Sequence, residues 1–133
     1  MTNYEIELVK RSWKRLDGVD PILLGDVFYS RLFLDNPSLE KMFKISKQEQ
    51  AKKLIDMLDT IIKRLDNLTS LTDEIKAMAQ RHVGYGVKPK HYLQVGEALI
   101  WTLSNGLGKD WDQETEKAWL NCYTLLANAM IEA

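Results

Sequence analysis

The chain has 133 residues, 18 of them Lys or Arg and 19 Asp or Glu, a length that buries roughly 70% of the unfolded surface in one core. The formal charge of −1 leaves no electrostatic footprint for nucleic acid or another polyanion. The lone cysteine, Cys122, excludes an internal disulfide, no run nears the ~18 apolar residues of a bilayer span, and MTNYEIELVK lacks the features of an export signal, so one cytoplasmic domain over residues 1–133 is expected.

Apolar spacing is helical almost throughout, without the period-two alternation of strands. Thr2 and Glu5 form a capping box for a first helix that turns Ile6, Val9, Trp13 and Leu16 inward and leaves Lys10, Arg11, Lys14 and Arg15 on a solvated face. Asp20 before Pro21 and Asn36 before Pro37 each put a capping side chain ahead of a proline, which predicts helix starts at both places. A second capping box, Ser46 with Glu49, opens a long helix that presents Gln50, Leu54, Met57, Leu58 and Ile61 on one side and ends near Asp66. Leu71, Ile75, Met78 and His82 form the inward stripe of the next helix, which stops at Gly84 and Gly86. Pro89 starts a helix through Val95, Leu99 and Leu103 to Gly106 or Gly108. The last helix follows Asp112 and carries Trp119, Cys122, Leu126 and Ala129 inward. Seven helices with short connections make an all-α fold.

His82 is the one polar side chain in its stripe, and two readings of it stand. It is either a neutral core histidine bonded to a backbone carbonyl, or a metal or haem ligand, since neutral imidazole is a good donor to iron and one helix-borne histidine suffices for a haem protein. His91, nine residues on, is read as a surface residue. The glycine pairs do not lie between a strand and a helix, so they do not form a phosphate cradle. Taken singly, Tyr29 is a core tyrosine bonded to a carbonyl, and Gln50 an exposed first-turn glutamine.

Several strings, in this order and spacing, resemble the single-domain bacterial globins and the haem domains of flavohaemoglobins over essentially the whole chain. They are Phe28-Tyr29-Ser30-Arg31-Leu32-Phe33; Pro37 with Phe43 six residues later; Asn67-Leu68; Ala79-Gln80-Arg81-His82; Lys88-Pro89-Lys90-His91-Tyr92 with Val95-Gly96-Glu97; and Ala118-Trp119 with Tyr123 and Leu126-Ala127-Asn128. The resemblance implies a globin fold in which about seven helices sandwich haem b, with His82 as the iron ligand. It sets Phe28, Phe43, Lys53, Leu54, Arg81, Tyr85, Val87, Tyr92, Val95 and Leu126 around the cofactor. Tyr29 and Gln50 fall on the distal side, where a phenol and an amide offer two donors to a partly negative dioxygen. Lys53, three residues after Gln50, lies where a haem carboxylate would emerge. Gly25, one turn before Tyr29, and Ala51, next to Gln50, are expected at a close helix crossing.

The resemblance implies reversible dioxygen binding, with carbon monoxide and nitric oxide as further ligands. The alternatives are a nitric oxide dioxygenase served by an external reductase and a gas-sensing or helical interaction domain. No nucleic-acid or membrane partner is expected, and the chain is expected to be a monomer or weak dimer. Flavohaemoglobins continue into flavin and nicotinamide domains that are not in this sequence. They also brace the proximal histidine with a tyrosine and a glutamate; Tyr92 matches the tyrosine, while Glu132 is out of phase with the glutamate. No histidine lies on the helix of Gln50, so an internal second imidazole on the distal side is not expected.

Overall fold

A computed structural model describes residues 1–43 and 46–132. Its α-helices are α1 (Asn3–Arg15), α2 (Pro21–Asp35), α3 (Lys47–Lys63), α4 (Thr72–Gly84), α5 (Pro89–Leu107) and α6 (Gln113–Ile131), with 3-10 segments at Pro37–Met42, Leu65–Leu71 and Gly108–Asp110. The first of these segments is the seventh helix that the sequence predicts. There is no strand among the described residues.

Side chains set the helix starts where the sequence places them. The Thr2 hydroxyl accepts the Glu5 N–H at 3.1 Å while the Glu5 carboxylate accepts the Thr2 N–H at 3.0 Å, which completes the expected box. Asp20 accepts the Ile22 N–H at 3.0 Å and Asp112 the Thr115 N–H at 2.7 Å. Ser46 accepts the Glu49 N–H at 3.2 Å, one half of the second box.

Three expectations at helix ends are corrected. Asn36 does not cap the helix after it. Its amide donates back at 3.3 Å to the Leu32 carbonyl, whose second lone pair is open beside the bond it accepts from the Asn36 N–H at 2.9 Å, and so closes α2. The long helix ends at Lys63, short of Asp66, and the chain continues in a 3-10 turn kinked at Asn67, held to the core by buried Leu65 and Leu71. His91 is half-buried and belongs to a helix start: its Nδ1 accepts the Lys88 N–H at 2.9 Å. Burial, reinforced by the charges of Lys90 and Lys88, holds its pKa below the ordinary 6.5.

The main core gathers α1, α2, α5 and α6 around fully buried Val9, Leu32, Leu103, Ala118 and Trp119. Trp119 donates to the buried Ser12 hydroxyl at 2.8 Å, and Trp13 reaches Asp59 of α3 at 3.1 Å, so both indole N–H groups are satisfied inside the helix stack. A second cluster brings Ile61 of α3 together with Leu71 and with Ile75 and Met78 of α4, and Met57 and Leu126 join it to the first. Ala129 is exposed rather than inward. Leu126 and Met130, four residues apart, pack against the second cluster and Ala127 is buried, so the inner side of α6 passes Ala129 by. The basic face of α1 is solvated as expected, with Lys10 paired to Asp66, Arg11 to Glu7 and Arg15 to Asp110. No helix among the described residues is long and apolar enough to cross a membrane.

Candidate functional site

The α2–α3 crossing is set by the absence of a side chain at position 25. A Cβ built on Gly25 would lie 2.3 Å from the Ala51 Cβ and 2.6 Å from its Cα, so the two backbones are in direct contact. One turn further along α2, Tyr29 is only 5% exposed. Its hydroxyl is 3.5 Å from the main-chain carbonyl of Gln50, at the outer limit of a hydrogen bond, so the phenol is only weakly engaged. Burial raises its pKa to about 12, which keeps the proton on the oxygen and leaves it a donor.

Tyr29 sits in an aromatic box. Phe28 and Phe43 meet it edge-on with ring centroids at 4.9 and 5.4 Å, and Phe33 stacks at 5.9 Å. Phe33 and Phe43 are themselves 5.3 Å apart. Phe33 belongs to the string that carries the resemblance, yet no site role is expected of it from sequence; its i+4 spacing from Tyr29 was the available signal. Gln50 and Leu54 are half-buried one turn apart on α3, and Lys53 between them is exposed.

On α4, His82 is half-buried at the end of the stripe of Leu71, Ile75 and Met78. Its Nδ1 lies 2.7 Å from the Met78 carbonyl oxygen. A carbonyl only accepts, so Nδ1 is the protonated nitrogen in this contact and the ring's lone pair is on Nε2. Bonding one ring nitrogen to a carbonyl is how a ligating histidine is fixed in tautomer and direction. The Tyr92 ring lies nearly parallel to the imidazole, 6.3 Å away at 25°, and the exposed Tyr85 is at the same distance but tilted by 58°.

An open cleft of about 260 Å³ flanks α4 and is bounded by Ala79, Val83, Val87, Tyr92 and Met130. Val87 and Tyr92, both expected at the site, thus come together, while Arg81 is exposed. Val95 and Leu126 are half-buried against the main core. Glu132 caps the end of α6 and is exposed, in keeping with its being out of phase.

The residues fit a haem. Among the described residues no group of three or more His, Cys, Asp or Glu side chains converges. A metal held by His82 must therefore bring its remaining ligands with it, as a porphyrin iron does. The His82 tautomer leaves the correct nitrogen for such a bond, and the aromatic box supplies apolar ring faces of the kind a porphyrin packs against.

The globin family model matches residues 26–130. The chain belongs to the globin family, and that membership implies a haem cofactor and gaseous ligands. It is 30% identical to the Flavohemoprotein of Vibrio cholerae over 99% of its own length but spans only 34% of that protein. Neuroglobin-1 of Oncorhynchus mykiss is also 30% identical, over 98% of this chain and 90% of that one. Two solved structures share the fold closely. One is a Rhodothermus marinus protein engineered as a carbene transferase and named as a candidate nitric oxide dioxygenase, with a TM-score of 0.89 and 25% identity over 99% of this chain and 92% of that one. The other is a bacterial globin from Campylobacter jejuni, with a TM-score of 0.84 and 28% identity over 98% and 94%.

Proposed function

We propose that residues 1–133 form one haem-b globin domain that binds dioxygen reversibly, with His82 as the axial ligand and Tyr29 and Gln50 as distal donors. The observation that carries this reading is the His82 tautomer, since the Met78 carbonyl takes Nδ1 and leaves the lone pair on Nε2. Haem would supply the iron at which dioxygen, carbon monoxide or nitric oxide binds. Tyr29, buried and protonated, gives a hydroxyl to a ligand that carries negative charge, and the Gln50 amide adds a second donor. The apolar rings of Phe28 and Phe43 limit water beside that donor and strengthen its bond. Val87, Tyr92, Val95, Leu54 and Leu126 pack the cofactor, Tyr85 lies beside the His82 ring, and Lys53 and Arg81 are available to its carboxylates at the surface.

A second reading is favoured by the relatives: a nitric oxide dioxygenase, consuming dioxygen and nitric oxide with electrons from an external reductase. The name of the Rhodothermus marinus structure and the likeness to a flavohaemoprotein point that way. Haem uptake is tested by adding haemin to the purified protein and recording ferric, ferrous, oxygenated and carbon monoxide spectra. A Soret band that follows these states supports the haem reading; its absence leaves a haem-free helical interaction domain on this fold. Sustained nitric oxide consumption with an added reductase selects the dioxygenase, and a stable oxygenated spectrum with slow re-reduction selects the binding protein.

A further inference from the structure

We propose that Tyr123 is a positioning residue for the proximal imidazole: it pins the first turns of α5 so that the Tyr92 ring stays stacked on His82. The role rests on the reading of His82 as the axial ligand. The Tyr123 hydroxyl, from α6, donates to the main-chain carbonyl of Tyr92 at 2.5 Å. By helix geometry that carbonyl is also the acceptor of the Gly96 N–H, and a carbonyl oxygen has lone pairs for both donors.

The Tyr123 ring reaches this carbonyl because position 96 has no side chain. A Cβ on Gly96 would stand 2.7 Å from Cε2 and 3.0 Å from Cδ2 of Tyr123, so the ring lies directly on the α5 backbone. Burial, with the Tyr92 phenol adding to it, raises the Tyr123 pKa and keeps the donor proton in place. His82 is then held from two sides: its Nδ1 edge by the Met78 carbonyl, and its face by a tyrosine whose own backbone is tied to α6.

Two substitutions separate the bond from the packing. Tyr123→Phe keeps the ring and deletes the hydroxyl; Gly96→Ala keeps the hydroxyl and displaces the ring. In the haem-loaded ferrous protein, both should broaden or split the iron–imidazole stretching band in resonance Raman spectra, with the carbon monoxide stretch of the distal side unchanged. In the haem-free protein, amide exchange over residues 92–96 should rise about fivefold in Tyr123→Phe, the loss of one neutral hydrogen bond. A variant with lowered thermal stability but an unaltered iron–imidazole band and unaltered exchange at 92–96 overturns the positioning role. If the wild type takes up no haem, the ligand reading falls and this role with it. A normal wild-type band shared by both variants overturns the positioning role alone.

Discussion

Gly25 and Ala51 touch backbone to backbone, with room at position 25 for a hydrogen and nothing larger. This contact fixes how α2 and α3 cross, and hence the placement of Tyr29 one turn after Gly25 and of Gln50 beside Ala51. Gly25→Leu must push the helices apart, and overpacking of this kind costs about 1 to 3 kcal/mol. Melting should shift down, and dioxygen release should speed up although position 25 touches no ligand. Unchanged release from a destabilised variant would show that the crossing does not aim the distal residues.

On the proposed function, Tyr29→Phe would remove a donor to a partly negative dioxygen, a bond worth about 1.5 to 3 kcal/mol. Dioxygen release should accelerate about tenfold or more, and carbon monoxide release less. Because burial lifts the phenol to about pKa 12, the wild-type rate should show no phenol titration between pH 7 and 10. Gln50→Leu should act in the same direction, and the pair should be non-additive, as expected for two donors on one ligand. Equal effects on both gases would mean that Tyr29 acts by bulk.

His91→Ala should leave the absorption spectra unchanged while weakening the start of α5 by about 1 kcal/mol, the usual scale of a lost helix cap. The pH dependence follows from the lowered pKa. Folding disfavours the charged imidazole, so the unfolded chain binds more protons in this range. The contribution is present above the ordinary value of 6.5 and is lost as pH falls through the lowered one. The melting-temperature gap between wild type and His91→Ala should therefore be larger at pH 8 than at pH 5.

Lys53→Ala should speed haem loss only modestly, and only at low ionic strength, since an exposed ion pair contributes about 0 to 1 kcal/mol. Haem loss that is identical at every salt concentration would remove Lys53 from the cofactor's edge.

Much of the fold was legible because helix starts are written in side chains. Thr2, Asp20 and Asp112 cap where their identity predicts, and Leu71, Ile75 and Met78 are buried as spaced, with His82 half-buried at the end of the stripe. What was not legible is a choice between partners that residue identity alone does not make. Asn36 chose a carbonyl behind it over an amide ahead, and α6 presents Met130 rather than Ala129 to the second cluster. For the site, the residue set came from the resemblance, whereas two determinants of its geometry are main-chain carbonyls, of Met78 and of Tyr92, which carry no side-chain signature. Gly96 could have been read as a slot for a large ring, but which ring fills it is a tertiary fact.

The most direct test is the proton NMR spectrum of the haem-loaded ferrous protein, recorded in water and after transfer to deuterium oxide. Were iron held through Nε2 of His82, it would shift the Nδ1 proton far outside the ordinary range, and the bond of that proton to the Met78 carbonyl would slow its exchange with solvent. The wild type should show one such resonance, slowly lost in deuterium oxide and absent from His82→Ala supplied with haem and free 1-methylimidazole, which offers iron a ring nitrogen but carries no ring N–H. The same resonance persisting in His82→Ala, or a haem-loaded high-spin ferrous wild type without it, would contradict the assignment of His82 as the axial ligand.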